Sequence, residues 1–117
     1  MSAIIQNTAG LSEIATVISG NTATVVVSAS SQAQYVPRLN VNETAGATPN
    51  LTVELYSGTT SYYLGSGGST WTAKAVTAKQ SVSFTDIVVP KGWSIRVTSS
   101  SVTGGFTCEG IKASRVG

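Results

Sequence analysis

Histidine is absent from the 117 residues, cysteine and methionine occur once each, proline three times, and charged side chains make up only 10% of the chain. Each shortage excludes a chemistry. Without an imidazole there is no usual general base, so the Ser-His-Asp and Cys-His arrangements are impossible. A Ser-Lys nucleophile would carry S-x-x-K, yet the residues three before Lys74, Lys79, Lys91 and Lys112 are Trp71, Val76, Val88 and Glu109. A glycosidase would have to draw its two carboxylates from five acids, with Glu43, Glu54 and Asp86 as the candidates. Cys108 alone can form neither an internal disulfide nor a thiolate metal framework, which suits synthesis in a reducing cytoplasm. No ligand set for zinc and no acidic cluster for Ca²⁺ are visible. The expectation is a protein without catalysis, cofactor or metal.

Scarce charge also bears on partners. No two basic residues are adjacent, and nucleic-acid patches are marked by basic runs, so nucleic acid is not an expected partner. No apolar run approaches the roughly eighteen residues of a membrane-spanning helix, and MSAIIQNTAG has neither a basic lead nor a long apolar core, so a soluble, unprocessed chain with no membrane contact is expected. Asn42-Glu43-Thr44 and Asn50-Leu51-Thr52 match a glycosylation signal that would matter only on a secretory route. The few charges are unevenly spread. Arg38 against Glu13, Glu43 and Glu54 leaves the first half negative, whereas Lys74, Lys79, Lys91, Arg96, Lys112 and Arg115 outnumber Asp86 and Glu109 in the second. Scattered solvated charge would explain this, as would contact between copies.

What the chain does have is Ser, Thr, Gly, Val and Ala, a composition that favours strands through its β-branched members. Its length allows one domain, burying roughly two thirds of the surface of the unfolded chain. The clearest stretch is Leu51 to Gly65, where Leu51, Val53 and Leu55 alternate with Thr52, Glu54 and Tyr56 before a Ser57-Gly58-Thr59-Thr60 break, the pattern of a β-hairpin. Ile14 to Ile18 reads as a strand, and Thr22 to Ser28 as its return across Gly20-Asn21. In Tyr35 to Thr44 the apolar set is Tyr35, Pro37, Leu39 and Val41, with Pro37 marking an edge or a bulge. Trp71 to Thr77 reads as a strand after the flexible Gly65 to Ser69 loop, which lacks a phosphate-binding lysine. Val82 and Phe84 alternate in one phase and Ile87 and Val89 in the other, which a bulge near Asp86 would explain. Trp93 to Thr98 and Phe106 to Ala113 complete the set. About eight short strands without a helix predict an all-β, single-domain antiparallel β-sandwich or jelly-roll over residues 11–117, preceded by an edge strand or arm over 1–10.

Four aromatic residues lie on or beside turns: Tyr62, Tyr63, Trp71 and Trp93. Exposed, they could stack on a sugar or anchor a protein; otherwise they pack on the sheet rim. Trp71, directly after the glycine-rich loop, is expected to be the most exposed.

Two segments carry a resemblance. Val53-Glu54-Leu55-Tyr56-Ser57-Gly58-Thr59-Thr60 and Pro90-Lys91-Gly92-Trp93-Ser94-Ile95-Arg96-Val97-Thr98 resemble the V-x-L-Y-x-G-T-T and P-x-G-x-S-I-R-V-T stretches of small virion structural proteins of tailed bacteriophages. The similarity runs from about Thr22 to Ala113 and departs at the Gly65 to Ser69 insertion and at Trp93. It implies a non-enzymatic virion component made in the host bacterial cytoplasm. The capsid decoration or cement type is favoured, with the major capsid protein or other virion subunits as partners and a homotrimer as the assembly. A neck, tail or fibre component, binding a receptor or glycan, is the alternative.

Overall fold

Period-two alternation of β-branched and aromatic residues becomes strand along most of the chain, and no helix occurs among the described residues. The computed structural model describes residues 11–19, 21–100 and 105–114, so Met1 to Gly10 and its expected arm lie outside them. Numbered in chain order, β1 (Leu11–Ser19), β3 (Gln34–Glu43), β9 (Ser81–Val89) and β11 (Gly105–Ser114) form one antiparallel sheet in the order β1-β11-β3-β9. The second sheet follows β2-β10-β4-β5, built from β2 (Thr24–Val27), β10 (Ser94–Ser99), β4 (Asn50–Tyr56) and β5 (Ser61–Tyr63), with β8 (Lys74–Ala75) also on β4. A small hairpin, β6 (Gly65–Ser66) with β7 (Ser69–Thr70), completes the described strands.

The pairing is nested: β1 with β11, β2 with β10, β3 with β9 and β4 with β5. A long hairpin rolled in this way into two sheets is a jelly-roll, as expected. One local expectation fails. β1 and β2 do not form a hairpin; they belong to different sheets, and the connection between them crosses from one layer to the other. Periodicity identified both strands but carries no information about which strand each will pair with. Likewise, the strand expected over Trp71 to Thr77 is reduced to the two residues of β8, interrupted at Ala73, whose φ is +48°.

Inward side chains of the two sheets meet in one core. Ile14, Ile18, Leu39, Val41, Phe84, Phe106 and Cys108 come from the first sheet, and Val27, Leu51, Val53, Ile95 and Val97 from the second. Each large member contributes about 1.5–3 kcal/mol on burial. Two neighbouring strands of this layer, β3 and the edge strand β9, change phase together. Val36 and Leu39 point inward on β3, Phe84 and Ile87 on β9, with two outward residues between them on each strand. Val36 pairs with Ile87 and Arg38 with Thr85, while Pro37, which has no N–H, stands opposite Asp86, whose φ is +55°. β3 and β9 keep one register through this point, so the phase change is a kink shared by Pro37 and Asp86 and not the inserted-residue bulge expected near Asp86; the register shift of β3 lies on its other side, against β11 between Ile111 and Ala113. The assignment of Tyr35 to the buried face is overturned for the same reason. Tyr35 is exposed, and its hydroxyl donates to Asp86 Oδ1 at 2.5 Å. That hydrogen bond, with burial and the nearby carboxylate charge behind it, raises the phenol above its ordinary pKa.

Gly110 lies on β11 opposite both Ile14 of β1 and Leu39 of β3. A Cβ there would sit 2.2 Å from the Arg38 carbonyl oxygen, so close approach of β11 to β3 requires glycine. Gly110→Ala is expected to cost roughly 1–3 kcal/mol in urea unfolding, as overpacking does; an unchanged midpoint would show that β11 and β3 do not approach this closely.

Candidate functional site

The β4–β5 turn places two of the four aromatic candidates. Ser57 N–H donates to the Thr60 carbonyl and Ser57 Oγ accepts from Thr60 N–H, both at 3.0 Å, while Gly58 takes the positive φ that reverses the chain. The resulting register sets Tyr62 opposite Leu55 and Tyr63 opposite Glu54, so these neighbours point to opposite faces. Tyr62, 61% exposed, stacks on Trp93 with ring centroids 5.5 Å apart and planes inclined by 19°. Tyr63 stands instead on the outer face, beside the Glu54 carboxylate. Glu54 accepts from Arg96 Nε at 2.8 Å, and the same guanidinium lies 3.5 Å over the Tyr56 ring.

Trp71 corrects the expectation of exposure: only 5% of it is accessible. The glycine-rich loop before it forms the β6–β7 hairpin, with Gly67 and Gly68 at positive φ and Ser66 Oγ donating to the Ser83 carbonyl of β9 at 2.5 Å. Held there, the hairpin covers the indole. Trp71 Nε1 donates to the Ser66 carbonyl at 3.2 Å, and its ring meets Phe84 edge-on at 6.2 Å. The structure thus brings Tyr62 and Trp93 together, places Tyr63 on another face and removes Trp71 to the core.

A larger surface is the outer face of the first sheet. Ser81 Oγ donates to Asn42 Oδ1 at 2.5 Å, Ser83 Oγ to Asn40 Oδ1 at 2.7 Å, and Asn42 Nδ2 to Glu109 Oε1 at 3.3 Å, giving a hydroxyl–amide ladder across three strands. Beside it is a shallow depression bounded by Glu13, Arg38, Glu109 and Ile111. Exposed apolar side chains stand on the same face: Val17 at 74%, Ile111 at 49%, and Tyr35 with Val88 near the kink at Asp86. None of these was singled out from the sequence. The signal that could have found Val17 is its place, with Glu13 and Ala15, on the phase opposite to Ile14 and Ile18.

No family model matches the chain, and no curated protein matches its sequence. Among solved structures it is similar to a chain of the cyanophage Pam1 capsid asymmetric unit, at 12% identity and a TM-score of 0.47, over 91% of this chain and 84% of that one. It is also similar to a chain of Bacillus endospore appendages, which are disulfide-linked pili, at 17% identity and a TM-score of 0.47, over 91% and 89%. An 11S allergen from Cocos nucifera gives 17% identity and a TM-score of 0.38, over 95% of this chain and 24% of the allergen.

The candidate carboxylates do not converge. Glu43 ends β3 on its inward face, Glu54 projects from the outer face of the second sheet, and Asp86 from the outer face of the first. Burial raises the Cys108 thiol to about 12, so no thiolate nucleophile forms near neutrality. Among the described residues no group of three or more His, Cys, Asp or Glu side chains is placed to hold a metal.

Glu43 instead organises one end of the sandwich. Only 2% exposed, its carboxylate accepts from the backbone N–H groups of Lys79, Gly46, Ala45 and Ala47 at 2.9–3.3 Å, tying the β3–β4 loop to the turn before β9. The Lys79 amide, then the Gly46, Ala45 and Ala47 amides, lower its pKa from the ordinary 4.5 against the opposing effect of burial. A carboxyl lowered on folding contributes stability that is complete above its unfolded value and lost as pH falls through the folded one. Thermal melts between pH 7 and pH 2 should therefore show wild-type stability declining below about pH 4.5, with Glu43→Gln less stable at pH 7 and flatter over the same range. Equal acid slopes for the two proteins would show that Glu43 does not hold the loops.

Proposed function

We propose that the chain is a non-enzymatic virion protein of a tailed bacteriophage, a decoration or cement protein that seats on the head lattice as a trimer and stabilises it. The observation that carries this reading is the outer face of the first sheet, where Val17, Ile111, Tyr35 and Val88 are exposed beside a hydroxyl–amide ladder. Exposed apolar side chains set among polar groups that already bond to one another suit contact with protein. The two segments that carry the phage resemblance add support, because they fall on paired strands: Ser94 opposes Tyr56 and Arg96 opposes Glu54. A protein that binds only the assembled lattice stabilises it by mass action. Residues 1–10 serve in this reading as an arm that reaches a neighbouring subunit, and the major capsid protein is the partner.

The stacked Tyr62 and Trp93 favour a second reading, a neck, tail or fibre component that presents an aromatic platform to a receptor or glycan. Light scattering of the purified protein, followed by binding to phage particles with and without salt, separates the two. The cement reading expects a trimer that binds particles and raises the temperature at which they release DNA, with binding reduced by deletion of residues 1–10. A protein that ignores the head shell but binds a host glycan, and loses that binding in Tyr62→Ala, would replace cement with the tail reading.

A further inference from the structure

A two-layer sandwich has four edge strands, and three of them are blunted here. β9 has Asp86 at positive φ, Pro90 immediately after its end, and the Ser83 carbonyl already occupied by Ser66. β2 has four residues and lies beside a register shift in β10. The remaining edge is divided between β5, with three residues, and β8, with two. Such interruptions are how sandwiches prevent strand addition.

β1 has none of them. Its nine residues contain no proline, glycine, lysine or arginine and pair with β11 in unbroken register from Leu11↔Ala113 to Ser19↔Gly105. Among the described residues it is paired along one side only, leaving a straight row of backbone donors and acceptors. Its outward positions include exposed Ala15 and Val17, and Glu13 is its one charge.

We infer that the free edge of β1 is an interaction surface, and that its occupant is β1 of a second copy, paired antiparallel across a twofold axis. The strand is suited to pairing with itself. Full-length antiparallel pairing of Leu11–Ser19 centres on Ala15, so Ala15 faces Ala15, Glu13 faces Val17 and Ile14 faces Thr16. The two Glu13 carboxylates then lie at opposite ends, and no like charges face each other. The first sheets of the two copies join into one continuous eight-stranded sheet, whose outer face carries both sets of Val17 and Ile111. This twofold contact is separate from the threefold one in the cement reading and holds or fails independently of it.

Four exposed-site variants test the pairing and its register in the full chain. Ala15→Cys places two thiols directly across the axis, so mild oxidation should link most of the protein into a dimer. Val17→Cys separates its thiols by about 13 Å and should stay unlinked. The buried Cys108 supplies no competing thiol. Ala15→Lys sets two ammonium groups face to face and should halve the mass measured by light scattering, whatever other contacts the assembly has; mixing it with Ala15→Glu should restore the wild-type mass. Failure of Ala15→Cys to link, equal linking of Val17→Cys, or an unchanged mass in Ala15→Lys would each overturn the twofold pairing. Circular dichroism establishes that each variant is folded before its result is read.

Discussion

β3 is hydrogen-bonded along both of its sides, and the rest of the first sheet takes its position from it. β11 on one side brings β1 with it, and β9 lies on the other, so displacement of β3 would unseat the whole layer. The features that make β3 unusual are concentrated where it meets its neighbours. Pro37 cannot donate to the ladder, Asp86 opposite it takes a left-handed conformation, and Gly110 on the other side has no side chain to resist the Arg38 carbonyl. At its end, Glu43 collects backbone amides from two loops. One strand thus fixes the phase of the sheet in its middle and the path of the loops at its tip.

The strands were legible in the sequence because burial on one side of a sheet leaves a period-two record, and that record was clear in Val53, Leu55, Ile95 and Val97. The phase change between Phe84 and Ile87 was legible too, but not its form: β3 kinks with β9 in unbroken register, and the bulge is on the β11 side of β3. Partner choice was not. Ile14–Ile18 and Thr22–Ser28 have the composition and turn of a hairpin, yet their partners are distant in sequence, and local pattern holds no term for distant pairing. Tyr35 departs from its expected burial because strict alternation does not hold through Pro37, where the strand changes phase. Trp71 departs from its expected exposure because Gly67 and Gly68, instead of loosening the chain, build a tight turn that closes over the indole. Of the aromatic candidates, the joining of Tyr62 to Trp93 depended on β4 and β10 being adjacent, which the sequence does not state.

The surface differs from that of a typical soluble domain in how it is satisfied. Ser, Thr and Asn side chains bond to one another across strands, so many polar groups on the first sheet are already partnered before anything binds. A face of that kind gives up less hydration on contact than a charged one, because fewer strongly solvated groups must be stripped.

Nested pairing has a kinetic consequence. The first described strand has the last as its partner, so ninety or so residues must be gathered before β1 and β11 can close, and long-range pairing of this sort is slow. On a ribosome β1 emerges well before β11 and has no intramolecular strand partner until Gly105–Ser114 has been made. During that interval both of its sides are unpaired. Neighbouring nascent chains on one message would therefore meet at β1 before either had folded, and the one carboxylate at Glu13 is the strand's sole charge against premature association.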